Sequence, residues 1–266
     1  MIKKTIFITG AGSGLGKQAA IALAKRGHKV IATTHYEEQI SDIMKISRKE
    51  GLDLYAFKLD ILKEKDRKLV LNYNIDAFIA NAAIGDSGSV SEIYIDRVEK
   101  VFITNVFANL KLIQLVFRKM LEQEKGGRII FLSSLAGRIP IPFLSPYCAS
   151  KAAIDVFATC LRNEAKIMKN AKLEIGIIEP GAYATGFNKE NNEKKYKWMK
   201  KNSYFCDIVK DIEYYEKNAW DFIEVKPYDS IIRKYIRAVE DKKLRHRYSA
   251  PWWQTISIQI GRIFGM

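Results

Sequence analysis

The sequence predicts an α/β domain, a doubly wound parallel sheet with helices on both of its faces. Three observations carry that prediction. Short apolar runs of strand length alternate with stretches of helical period, as strand and crossover helix must alternate in a parallel sheet. A glycine-rich turn, Gly10-Ala11-Gly12-Ser13-Gly14-Leu15-Gly16, joins the first apolar run to the first helical stretch. Polar residues able to meet a ligand gather where the apolar runs end, which is where such sheets bind ligands.

The elements follow in order. Residues 4–9 read as a strand because Thr5, Ile6, Phe7 and Ile8 form a continuous apolar run, suited to burial on both faces. The glycines after it let the backbone turn tightly and approach a pyrophosphate, which then sits at the N-terminus of a helix over 14–26, where free N–H groups and the dipole favour anions. Further strands are expected near 28–33, 53–59, 75–80, 127–133 and 172–178, and further helices near 37–50, 62–72, 91–122, 145–168 and 228–240. Ser145-Pro146 marks a helix start, serine as N-cap and proline at the first helical position. Tyr147 and Lys151 then fall one turn apart on one helix face.

The 266 residues, 48% of them hydrophobic, fit a single domain over 1–266 with a sizeable core. Within it, residues 187–227 are expected to cover the site between the sixth strand and the next helix. They carry Tyr196, Trp198, Tyr204, Phe205, Tyr214, Tyr215, Trp220 and Phe222 among many charges, which suits either a cover over a bulky apolar substrate or the inner faces of ordinary helices. The tail, 244–266, has an apolar stripe at helical spacing: Trp252, Trp253, Ile256, Ile260, Ile263 and Phe264, beside Arg262. Burial of both tryptophans against the body or a partner is expected, with contact to a membrane surface as the alternative.

The net charge of +14 comes from 44 basic and 30 acidic residues. The cations are dispersed as singles and pairs with no nucleic-acid motif, so a solvated lysine-rich surface is expected rather than a nucleic-acid partner. Cys148, Cys160 and Cys206 form no CxxC pair, and His28, His35 and His246 have no ligand spacing; neither a disulfide framework nor a metal is expected. The apolar run after Lys3-Lys4 breaks into glycines and has no cleavage pattern, and no uninterrupted apolar stretch approaches the ~18 residues of a membrane span. A cytoplasmic location is the expectation.

The chemistry concentrates in Ser134, Tyr147 and Lys151: a hydrogen-bond donor, a phenolic acid/base and a cation to tune it. A phenol of pKa about 10 exchanges protons poorly at neutral pH, and a fixed ammonium nearby favours the phenolate. Thr9-Gly10-x-x-x-Gly14-x-Gly16, Asn81-Ala82-Ala83, Asn105, Ser134, Tyr147-x-x-x-Lys151 and Pro180-Gly181-x-x-x-Thr185 occur in the order and spacing of one family. Over roughly residues 4 to 187 the sequence resembles the classical short-chain dehydrogenase/reductases, which have a Rossmann-type sheet. Ala83 departs from the usual glycine.

The resemblance implies roles. Ser134 holds the substrate oxygen, Tyr147 exchanges the proton, Lys151 lowers the phenol pKa and bonds the nicotinamide ribose, and Asn105 anchors a water linking Lys151 to solvent. Gly10, Ser13, Gly14, Leu15 and Gly16 cradle the pyrophosphate, Asp60 and Ile61 lie against adenine, Asn81 and Ala82 border the cofactor, and Pro180, Gly181 and Thr185 border the nicotinamide. At the end of the second strand Thr34 stands where NAD-preferring members carry an acid and His35 where an arginine often sits, so NADP is expected over NAD although Ser13 is not basic. The implied activity interconverts a secondary alcohol and a carbonyl on a bulky apolar substrate. The alternatives are an NAD-dependent alcohol dehydrogenase and a non-catalytic nucleotide-sensing scaffold. Apolar positions on several faces of the 91–122 and 145–168 helices predict a homodimer or homotetramer.

Overall fold

A computed structural model describes residues 2–168 and 171–265. The sheet has seven strands in the order β3-β2-β1-β4-β5-β6-β7: β1 (Thr5–Ile8), β2 (Lys29–Thr34), β3 (Leu54–Lys58), β4 (Ala77–Ala80), β5 (Gly127–Leu132), β6 (Leu173–Pro180) and β7 (Arg247–Ala250). Every pairing is parallel. The six expected strands are present within a few residues. The seventh, β7, was not foreseen: four residues ending in Ser249 and Ala250 carry too little apolar pattern to register as a strand, and pairing with β6 supplies what the local sequence lacks.

Alternation along each strand sends side chains into two cores. Ile6, Ile8, Val30 and Ala32 face one layer, filled by α1 (Gly14–Lys25), α2 (Glu38–Glu50) and α9 (Asp229–Glu240). Phe7, Ile31 and Phe78 face the other, filled by α5 (Asn109–Glu122) and α6 (Ser145–Ile167). The helix foreseen near 62–72 is a short α3 (Glu64–Lys68) running into a 3₁₀ turn, Leu69–Asn72. The helical stretch 91–122 starts later and is not uniform: α4 (Ile95–Phe102) passes through a π-helical turn, Ile103–Ala108, into α5. This stretch is apolar enough by composition to cross a membrane, but half of its most apolar window is buried, and α5 packs on the sheet.

The order 3-2-1-4 reverses direction between β1 and β4, opening a crevice at the carboxyl ends of those strands. Above the carboxyl ends, α7 (Phe187–Asn202) and α8 (Val209–Ile223) form a cover with a small core of its own. Its aromatics divide between the inner face of the cover and the solvent. Tyr196, Trp198 and Phe205 pack inward with Met199 and Phe143, whereas Tyr204, Tyr214, Tyr215 and Phe222 are exposed. The chain closes with α10 (Trp252–Ile263). Burial of the tryptophans against the body is corrected: within the single chain Trp252 is 73% and Trp253 36% exposed, with Ile256, Ile260, Ile263 and Phe264 exposed beside them. The helix docks instead by its other side, where Gln254 accepts from the Ala182 N–H at 2.8 Å and donates to the Ile223 carbonyl at 2.7 Å.

Candidate active site

The site is assembled at strand ends. β1 delivers Thr9, whose hydroxyl accepts the N–H groups of Asn81 and Ala82, each at 3.0 Å, just past β4. The Asn81 amide in turn donates to the carbonyls of Thr9 and Gly10. Two glycines make this close approach possible. A Cβ on Gly10, which has φ +64°, would lie 2.7 Å from the Ala82 Cα, and one on Gly16 would lie 2.5 Å from both the Asn81 amide nitrogen and the Gly10 carbonyl. Thr185, after β6, reaches the same loop, its Cβ 3.6 Å from where a Cβ of Gly14 would be. Ser13, at the N-cap of α1, makes no capping bond with its side chain, so the first N–H groups of the helix are not met by it. A glycine cradle with helix N–H groups fits the pyrophosphate of a dinucleotide.

On the other side of the crevice, β5 runs into Ser133 and Ser134. The Ser134 hydroxyl accepts from the Ala136 N–H and donates to the Pro180 carbonyl at 3.3 Å. Ser133 turns away to donate to the Lys151 carbonyl. Helix α6 begins one residue earlier than its sequence suggests, with Leu144 at the N-cap. Lys151 is 2% exposed; its ammonium donates to the Leu132 carbonyl at 2.9 Å and lies 5.6 Å from the centre of the Tyr147 ring. Phe187 of the cover packs on that ring, centroids 5.3 Å apart.

Burial dominates the electrostatics. It pushes the Tyr147 phenol up to about 12 against the lowering influence of the Ser134 hydroxyl. It pulls the Lys151 ammonium down to about 8, against the raising field of Asp155. Lys151 therefore stays largely protonated at neutral pH, and Tyr147 stays a neutral phenol able to donate a proton.

The remaining predicted residues are placed as follows. Asn105 lies in the π-helical turn, and its side chain is fully engaged: it donates to the Ile84 carbonyl and the Ser150 hydroxyl and accepts the Ile84 N–H. Asp60 caps its own turn by accepting from Leu62, with Ile61 buried beside it. Thr34 is buried, and its hydroxyl donates to the Tyr36 carbonyl at 2.8 Å, whereas His35 is exposed with its ring edge-on to Tyr36. Pro180 ends β6 with its carbonyl on the Ser134 hydroxyl, and Gly181 follows it.

Comparison with known proteins decides the family. The profile of the short chain dehydrogenases matches residues 4–196. The chain belongs to that family. The short-chain dehydrogenases are oxidoreductases, and this chain is one of them. Among curated relatives, an L-xylulose reductase of Caenorhabditis elegans is 27% identical over 191 residues, 71% of this chain and 75% of that protein. Among solved structures, a short-chain dehydrogenase/reductase from Burkholderia phymatum in complex with NAD has a TM-score of 0.82 at 17% identity, covering 98% of this chain and 93% of that one. A short-chain dehydrogenase from Sphingobium yanoikuyae in complex with NADPH has a TM-score of 0.73 at 18% identity, covering 99% and 96%.

Residues that sequence reasoning passed over also help to build this crevice. Tyr235 of α9 is fully buried and donates to the Asn81 side-chain oxygen at 2.8 Å, completing the hydrogen bonds of the residue that ties β4 to the glycine loop. Its helical apolar pattern marks it as core, and nothing local reveals the hydroxyl's partner. Glu179, directly before Pro180, and Asp155, one turn after Lys151, had a visible signal, since each is an acid inside an apolar pattern.

Tyr235→Phe removes the donor and leaves a buried carbonyl oxygen of Asn81 unmatched. Chemical denaturation should show a loss of about 1–3 kcal/mol with an unchanged m-value.

Proposed function

We propose that the chain is an NADP-preferring oxidoreductase that interconverts a bulky apolar secondary alcohol and its carbonyl compound. The observation that carries this reading is the meeting, across one crevice, of the glycine cradle of β1 and α1 with Ser134, Tyr147 and Lys151. The nicotinamide supplies the hydride acceptor or donor. Ser134 holds the substrate oxygen, Tyr147 gives or takes the proton at that oxygen, and Lys151 favours the phenolate by its charge. Asn105 serves through its main-chain carbonyl in the π-helical turn, since its side chain is already committed. That carbonyl now accepts from the Asn109 amide at 3.0 Å. A binding scaffold has no use for all four of these residues together.

The apolar substrate class is supported by Phe187 on the Tyr147 ring and by the inward aromatic cluster of the cover. Preference for NADP is supported by the absence of an acid at Thr34 and by His35. NAD is the second reading, favoured by Glu37 and Glu38, which follow directly and would repel a 2′-phosphate; Lys58 offsets one of them at 3.5 Å. A homodimer or homotetramer is supported by exposed apolar side chains on the π-helical turn, Ile103 and Phe107, and on α6, Val156 and Phe157. Light scattering at micromolar concentration should give a mass of two or four chains; a monomer rejects the assembly.

Tyr147→Phe keeps the ring and deletes the transferable proton. Turnover on a responsive ketone should fall at least ~100-fold while cofactor affinity is retained, and near wild-type turnover contradicts the assignment. Thr34→Asp sets a carboxylate beside the 2′-phosphate. Fluorescence titration should show NADP weakened relative to NAD by ~1–3 kcal/mol, and unchanged selectivity means that the phosphate is read elsewhere.

A further inference from the structure

Lys151 is a buried cation whose partner is neutral. Its ammonium bonds the Leu132 carbonyl, and among the described residues it forms no ion pair. One turn further along α6 stands Asp155, 7% exposed. Its Oδ2 lies 3.2 Å from Nη1 of Arg247 on β7, while its Oδ1 is buried without a hydrogen-bond partner. The surrounding charges do not make up the deficit. Arg247 shares the same Nη1 with Glu179, which is fully buried and is also held by Arg138 and by the Ser249 hydroxyl at 2.6 Å. Glu179 thus draws on two guanidinium groups, and Asp155 on part of one. A carboxylate left half-paired in a low-dielectric interior projects its field onto ionisable neighbours, and the neighbour one turn back on its helix is Lys151.

We propose that Asp155 is a positioning residue for Lys151: its half-paired carboxylate keeps the Lys151 ammonium protonated, and the Arg138, Glu179 and Arg247 side chains set the strength of that field. The proposal rests on the role given to Lys151 above and supplies what that role lacks, a counter-charge. The directions agree. Burial lowers the Lys151 pKa and Asp155 raises it, while burial and Glu179 raise that of Asp155, and Arg247 and the Ser133 hydroxyl lower it. The other titratable groups around the pair do not take over the part. Tyr147 is held neutral by burial, and His246, next to Arg247, is held low by burial and by that guanidinium, so it is uncharged where Lys151 titrates. Glu179, the other acid, is occupied by its two arginines. The same cluster joins the three segments that carry the site: Arg138 follows the Ser134 turn, Asp155 sits on the helix of Tyr147 and Lys151, and Glu179 precedes Pro180-Gly181.

The test is an NMR titration of protein labelled with carbon-13 at the lysine ε position, the Lys151 resonance being assigned by its loss in Lys151→Met. The wild-type midpoint is expected near 8. Asp155→Asn should lower it by about one unit. Asp155→Glu should restore most of the shift, and Arg247→Gln, which removes the cation facing Asp155, should move the midpoint upward. Opposite signs for Asp155→Asn and Arg247→Gln distinguish a field from general loosening of the core, which would shift both the same way. An unchanged midpoint in Asp155→Asn, or equal shifts in both variants, overturns the proposal; if Asp155→Asn does not fold, Arg247→Gln decides by its sign alone. On a responsive ketone, the alkaline loss of kcat/KM should move to lower pH in Asp155→Asn. The titration needs no turnover, so it decides the coupling even if Tyr147→Phe shows that the proposed chemistry is wrong.

Discussion

A lysine ammonium in the interior, at the carboxyl end of a parallel sheet, carries a desolvation cost that its surroundings must offset. Around Lys151 one contact offsets that cost directly and two others hold the neighbouring segments in place. β5 ends so that the Leu132 carbonyl points at the ammonium, α6 fixes Lys151 and Tyr147 on one face, and the π-helical turn between α4 and α5 brings Asn105 against Ser150 on the same helix. The short 3₁₀ turn after Ser134 lies so close to α6 that a Cβ on Gly137 would stand 2.9 Å from the Lys151 backbone. Moving any of these segments would uncover a buried charge.

The second half of the site rests on a different device. There the need is close approach of backbone to ligand, and it is met by glycines and by a hydrogen-bonded knot of Thr9, Asn81 and Tyr235 that ties β1, β4 and α9 together. The cover is fastened to this frame by polar contacts. The Ser87 hydroxyl donates to the Asn191 carbonyl, and the Glu92 carboxylate accepts from the Ser203 hydroxyl and the Tyr204 N–H. Lys195 pairs with Glu216 and lies over the rings of Phe143 and Tyr196, so the inside of the cover is aromatic yet charge-balanced. Phe143 itself sits at φ 60°, a left-handed conformation rare for an aromatic residue, directly ahead of α6.

Much of this was legible in the sequence because the signals are local. An apolar run into glycines, a serine-proline helix start and a four-residue interval from tyrosine to lysine each define geometry within a few residues. What escaped was non-local. β7 exists because β6 offers it an edge. The tail is anchored by Gln254, a polar residue that no apolar stripe reveals, and its tryptophans, which pattern alone sends inward, face out. The bond from the Thr34 hydroxyl to the Tyr36 carbonyl is likewise a contact that the end of the second strand does not reveal. Arg247, the partner that Asp155 and Glu179 share, comes from β7, some 70 to 90 residues away in the chain, so the charge cluster could not be seen before the strand that completes it.

The central claim is hydride exchange between a nicotinamide and a carbonyl carbon at this crevice. Incubating the protein with reduced cofactor deuterated at the transferable position and a panel of apolar ketones, then analysing products by mass spectrometry, tests it most directly. The account predicts one deuterium on the carbinol carbon of the alcohol formed, with solvent hydrogen on its oxygen. Cofactor oxidation without deuterium in any product, or no reaction across the panel with either NADPH or NADH, would contradict it.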